Sequence, residues 1–102
     1  MTTYIEFHGE IPISDIGKRL REIVRTTHTS FKILTGYGST GATSKSKQAA
    51  ITSLSKMKKE GIIKAFLPGE VLTKLLTDKV KYQKVIKGDK DIGNDGIIFV
   101  FV

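Results

Sequence analysis

Hydrophobic and polar positions divide the chain into alternating short strands and amphipathic helices. From Tyr4 to His8 the residues alternate, with Ile5 and Phe7 on one face and Tyr4, Glu6 and His8 on the other, which predicts a half-buried strand. Gly9 and Pro12 punctuate its exit, and Ser14 is the expected N-cap of the first helix. Ile13, Ile16, Leu20, Ile23 and Val24 then recur at helical spacing, with Lys18, Arg21 and Arg25 on the opposite, wet side. His28 falls near the C-terminus of that helix, where positive charge suits the dipole. Phe31 to Leu34 predicts a second strand that runs into Thr35-Gly36-Tyr37-Gly38-Ser39-Thr40-Gly41, a loop dense in glycine. A helix is expected from about Ser44 to Glu60, with Ala50, Leu54 and Met57 as its stripe, Ala49 and Ile51 flanking, and Gly61 as its stop. Ile62 to Leu67 predicts a third strand closed by Pro68-Gly69.

From Glu70 to Gly96 the pattern is weaker. Val71, Leu72, Leu75 and Leu76 suggest a short helix, and Lys79 to Lys90 is rich in lysine without a clear period. Gly93-Asn94-Asp95-Gly96 is a turn signal, and Ile97 to Val102 is a strand apolar on both faces, as in the middle of a sheet. The order is β-α-β-α-β, a short helix or loop, then β. That predicts an α/β domain with right-handed crossovers, two helices on one face of a four-stranded mixed sheet, and the other face partly open.

Composition adds bounds. A chain of 102 residues predicts one domain, residues 1–102, with no room for a second. It has no Cys, so neither a disulfide framework nor a thiolate metal site is available, which fits a reducing compartment. The opening Met1-Thr2-Thr3-Tyr4-Ile5-Glu6 has no basic region followed by an apolar one, so no secretory leader is expected. No apolar run approaches the roughly 20 residues of a membrane span, and a cytoplasmic location is the default. The net charge of +7, from 17 Lys and Arg against 10 Asp and Glu, points either to a polyanionic partner or to a lysine-rich solvated surface.

The loop Gly36-Tyr37-Gly38-Ser39-Thr40-Gly41 matches GxGxxG between a strand and a helix. Glycines let the backbone approach an anion, and the N–H groups of the following helix start point at it. Ser39, Thr40 and Thr43 add hydroxyls, and Lys45 and Lys47 add positive charge, so this is the candidate phosphate site. The plainer alternative is a glycine-rich turn. A dinucleotide site does not fit: the loop follows the second strand, and Glu60 and Glu70 miss the position of the ribose-binding acid. A Walker-type loop fails for want of Gly-Lys-Ser/Thr at the required spacing.

If the first two strands are parallel neighbours, Glu6 and His8 share a rim with the glycine loop, where open α/β sheets bind ligands. A carboxylate and an imidazole beside a phosphate cradle suit general acid–base attack on a phosphodiester. By spacing alone the plainer reading is favoured, with Glu6 a solvated strand residue and His8 a residue that caps a turn. Tyr37 could stack on an unpaired base or pack its own loop. The two His and the scattered carboxylates give no metal-ligand spacing, so no cofactor is expected, although substrate phosphates could carry in Mg²⁺.

These motifs resemble a known family. Ile5-Glu6-Phe7-His8-Gly9 is similar to the Leu-Asp-Leu-His-Gly motif that opens Smr (small MutS-related) domains, and Thr35-Gly36-Tyr37-Gly38 to their Thr-Gly-x-Gly motif. Ser39, Gly41, the helix with Ala49-Ala50 and Leu54, and the ending Gly93-Asn94-Asp95-Gly96-Ile97-Ile98 also resemble the family. The resemblance spans the chain except roughly Glu70 to Asp91. It implies a two-layer β-α-β-α-β-β sandwich similar to the C-terminal domain of translation initiation factor three. It also implies DNA or RNA binding and, in several members, endonuclease activity. Cleavage would fall to Glu6 and His8, and substrate binding to Gly36 and Gly38. The family acid is usually Asp; with Glu6 the carboxylate shifts by more than about 1 Å, which bears on positioned catalysis.

The expectation is a nucleic-acid-binding domain, with RNA favoured over DNA and endonuclease activity an open extension. It would be a monomer without membrane contact. The alternatives are a non-catalytic RNA- or ribosome-binding module and a binder of small phosphate compounds, whose affinity would be insensitive to salt.

Overall fold

A computed structural model of the chain describes residues 2–35, 45–68 and 96–102. Its elements are β1 (Thr3–Tyr4), a 3₁₀ turn (Ile13–Asp15), α1 (Ile16–Thr27), β2 (Phe31–Leu34), α2 (Lys45–Lys59), β3 (Ala65–Pro68) and β4 (Ile97–Phe101). The strands form a four-stranded mixed sheet in the order β1-β2-β4-β3. β1 and β2 are parallel, with Thr3 opposite Lys32 and Tyr4 opposite Ile33. β4 runs antiparallel to both β2 and β3, so β2 and β3 point the same way with β4 between them. A strand with two neighbours and both faces covered must be apolar on both sides, and all five β4 residues are buried.

Both helices supply apolar stripes to one face of the sheet. Ile16, Leu20, Ile23 and Val24 of α1 and Ala50, Leu54 and Met57 of α2 pack with Phe31, Ile33, Ile98 and Val100, and Phe7 joins them. The helices touch each other closely at Gly17, where an added Cβ would sit 2.7 Å from the Ser53 Oγ. α1 ends at His28, which takes a left-handed conformation with φ 57°, while the Thr26 and Thr27 hydroxyls donate one turn back, to the Glu22 and Ile23 carbonyls. α2 ends as expected at Gly61, φ 78°, with the Ile62 N–H donating to the Met57 carbonyl and the Gly61 N–H to that of Lys58. That pair of bonds is a Schellman closure.

Four expectations are corrected. The first strand stops at Tyr4 instead of continuing to His8. Residues 6–10 form a turn in which the His8 N–H donates to the Ile5 carbonyl and the Glu10 N–H to that of Glu6. Alternation therefore breaks: Tyr4 and Phe7 turn to the core, and Ile5 is 62% exposed. Ser14 is not an N-cap, because the 3₁₀ turn feeds directly into α1; Ile13, on that turn, is exposed and not part of the buried stripe. The third strand begins at Ala65, after Ile62 completes the helix closure. The second face of the sheet is not open: Ala65, Leu67, Ile97, Phe99 and Phe101 form a buried cluster there. Lys32 shares that face, with its Nζ 5.9 Å from the centre of the Phe99 ring.

Candidate functional site

The strand directions gather one end of the molecule. The C-terminal ends of β1, β2 and β3, the start of β4 and the N-termini of both helices all lie there. The helix N-termini bring the positive end of the dipole, which favours anions, while Glu6, Glu10 and Asp15 at the same end oppose them. Thr35, the first residue after β2, is buried and fixed: its N–H donates to the Gly96 carbonyl at 2.6 Å and its hydroxyl to the same oxygen at 3.1 Å. The exit of β2 is thus pinned to the entrance of β4.

His8 is exposed on the turn that follows β1, and so leaves the sheet at the same end as Thr35. Gly9, with φ 92°, supplies the left-handed step of that turn. Phe7, wholly buried between Glu6 and His8, anchors the turn to the core. Glu6 points to α1: both Arg19 Nε and Nη2 donate to its Oε1, at 3.2 and 3.0 Å. Arg19 also donates to Glu22, at 2.9 Å. The hydrogen bond to Glu6 is the main reason the Arg19 guanidinium is held above its ordinary pKa; burial opposes it, and the Glu6 and Glu22 charges add to it. Glu6, Ile11, Asp15, Lys18, Arg19 and Glu22 line a shallow cleft of about 240 Å³ beside this pair.

Of the residues expected to bind substrate, Gly36, Tyr37, Gly38, Ser39 and Thr40 lie outside the described residues. Lys45 is exposed at the first position of α2. Lys47, two residues on, is 4% exposed. The expected acid and imidazole are thus on one turn, but the acid is committed to an arginine. The sequence motifs do not single out Arg19. Its i, i+3 spacing to Glu22 is visible in the sequence, whereas its pairing with Glu6, 13 residues away, is tertiary. Among the described residues no group of three or more His, Cys, Asp or Glu could hold a metal ion. No helix among them is long and apolar enough to cross a membrane.

No family model, curated protein or solved structure matches the chain.

Proposed function

We propose that the chain is a nucleic-acid-binding domain of the Smr kind, similar in fold to the C-terminal domain of translation initiation factor three, that holds RNA phosphates along its strand-end edge in the cytoplasm. The observation that carries this reading is the parallel pairing of β1 with β2. It brings the His8 turn to the same end as the start of the glycine-rich stretch and the exposed Lys45 of α2. Two helix N-termini and the exposed Lys45 favour an anion there against the negative charge of Glu6, Glu10 and Asp15, and the chain as a whole carries +7. The observed order of strands and helices agrees with the sandwich that the motif resemblance implies.

A second reading, phosphodiester cleavage, is favoured by the exposure of His8 and by the fixed carboxylate beside it. In this reading His8 moves protons at the scissile phosphate. Glu6, clamped by Arg19, orders the turn and is not itself the base. Incubation of the protein with labelled RNA, read by gel shift and by product analysis, tests both readings. The expected result is a shift that weakens steeply as salt rises. Cutting that is lost in His8→Ala with affinity kept supports the nuclease. Binding without cutting leaves a non-catalytic RNA- or ribosome-binding module. No shift at low salt removes the whole reading.

A further inference from the structure

The outer side of α1 carries charge that the strand-end site does not use. Lys18, Arg21 and Arg25 recur at i, i+3 and i+7, one face of the helix, and with Glu22 they line a second cleft of about 250 Å³. Lys18 and Glu22 also border the cleft beside Glu6 and Arg19, so the two depressions are neighbours on α1. Lys18 and Arg25 are exposed and have no ion pair among the described residues. Two of the acids nearby are held by arginines, while Asp15, which borders the first cleft with Lys18, has no ion pair among the described residues. Glu22 accepts from Arg19, and Glu60 accepts a two-pronged bond from Arg21, with Nη1 to Oε2 at 3.0 Å and Nη2 to Oε1 at 3.1 Å. The Arg21 bond, and the nearby Lys56 charge to a lesser degree, hold the Glu60 carboxyl below its ordinary range, so it stays charged and paired. Arg21 is thereby fixed as the middle wall of the cleft, and Lys18 and Arg25 project as unmatched cations on either side.

We infer that this stripe is a second contact surface for the RNA backbone, continuing the strand-end edge along α1. The inference rests on the reading of that edge as an RNA site. Seven residues of helix separate Lys18 from Arg25, roughly 10 Å of rise. That rise is long enough for the two exposed cations to meet different phosphates of one strand. The aliphatic stems of the basic side chains give the cleft apolar walls on which sugars can lie while the charged ends meet phosphates. An anionic membrane fits less well. A helix that lies on lipid exposes apolar side chains beside its basic ones, whereas Ile16, Leu20, Ile23 and Val24 are all buried beneath α1.

The test is the salt dependence of affinity for a fluorescein-labelled single-stranded RNA. The double variant Lys18→Ala, Arg25→Ala is compared with the native chain, with Lys45→Ala, and with the charge-keeping pair Lys18→Arg, Arg25→Lys. The double alanine variant should lower the slope of log affinity against log salt by roughly 1.4, about 0.7 for each phosphate no longer neutralised. The charge-keeping pair should keep the native slope, and the thermal midpoint should not move in either. If native protein binds and Lys45→Ala weakens it, but the double alanine variant keeps the native slope, the stripe is not an RNA surface while the edge reading stands. If native protein does not bind RNA, both fall. Vesicles of phosphatidylcholine with phosphatidylserine form the other arm. Loss of vesicle binding in the double alanine variant with RNA affinity unchanged overturns the inference in favour of a membrane surface.

Discussion

Phe7 and His8 are adjacent on one turn and belong to opposite parts of the molecule. Phe7 is fully buried in the apolar layer that runs from Ile16 and Leu20 through Leu54 to Ile98. His8 is exposed at an end crowded with Glu6, Glu10, Asp15, Lys18 and Arg19. The difference teaches how the turn divides its work. The buried ring fixes where the backbone lies, at a cost in stability if it is lost. The imidazole beside it is held out with no packing role and is free to act on a ligand.

The largest effect should therefore come from Phe7→Ala, which leaves a cavity in the helix–sheet layer and should cost about 3–5 kcal/mol in denaturant unfolding. His8→Ala, one residue away, should change stability by less than about 0.5 kcal/mol and alter only what happens to RNA. A large stability loss in His8→Ala would erase the contrast. Gly17→Val should come next. Its branched side chain has to displace Ser53 where the two helices meet, and overpacking of that kind costs about 1–3 kcal/mol. An unchanged unfolding midpoint would show that the helices can separate freely there. His28→Gly should act in the opposite direction, raising stability by about 0.5 kcal/mol, because glycine takes the left-handed conformation that His28 adopts without a Cβ penalty. The smallest effect should be the pH dependence of the Arg21–Glu60 pair. Its carboxyl is depressed in the folded state, so its contribution is present above the ordinary carboxylate range and lost as pH falls through the folded value. Glu60→Gln should flatten the acid limb of a stability–pH curve slightly. High salt should shrink the difference between the two proteins.

Long regular elements were legible because their period repeats often enough to average out local exceptions. α1 and α2, the stop at Gly61 and the doubly buried β4 follow directly from the residue pattern. The short elements were not. With only five residues, Tyr4 to His8 alternates convincingly, yet two backbone bonds convert most of it into a turn. Ile62 reads as strand because it is apolar, but its N–H closes α2. The covered second face was legible in the all-apolar run Ile97 to Val102, whose successive side chains point to opposite faces, and the expectation of helices on one face alone passed over that signal. At the candidate site, Glu6 and His8 could be picked out as chemistry-bearing, and their rim followed from parallel strands. That Glu6 is tied to Arg19 depends on how α1 crosses the turn, which no local pattern records.

The central claim is that RNA sits on the strand-end edge. Its most direct test is a titration of ¹⁵N-labelled protein with single-stranded RNA, followed by amide chemical shifts. The account predicts that amides of the His8 turn, Thr35 and the first turn of α2 move first and furthest. Shifts confined to Thr29, Ser30, Lys64 and Val102, at the other end of the strands, would contradict it.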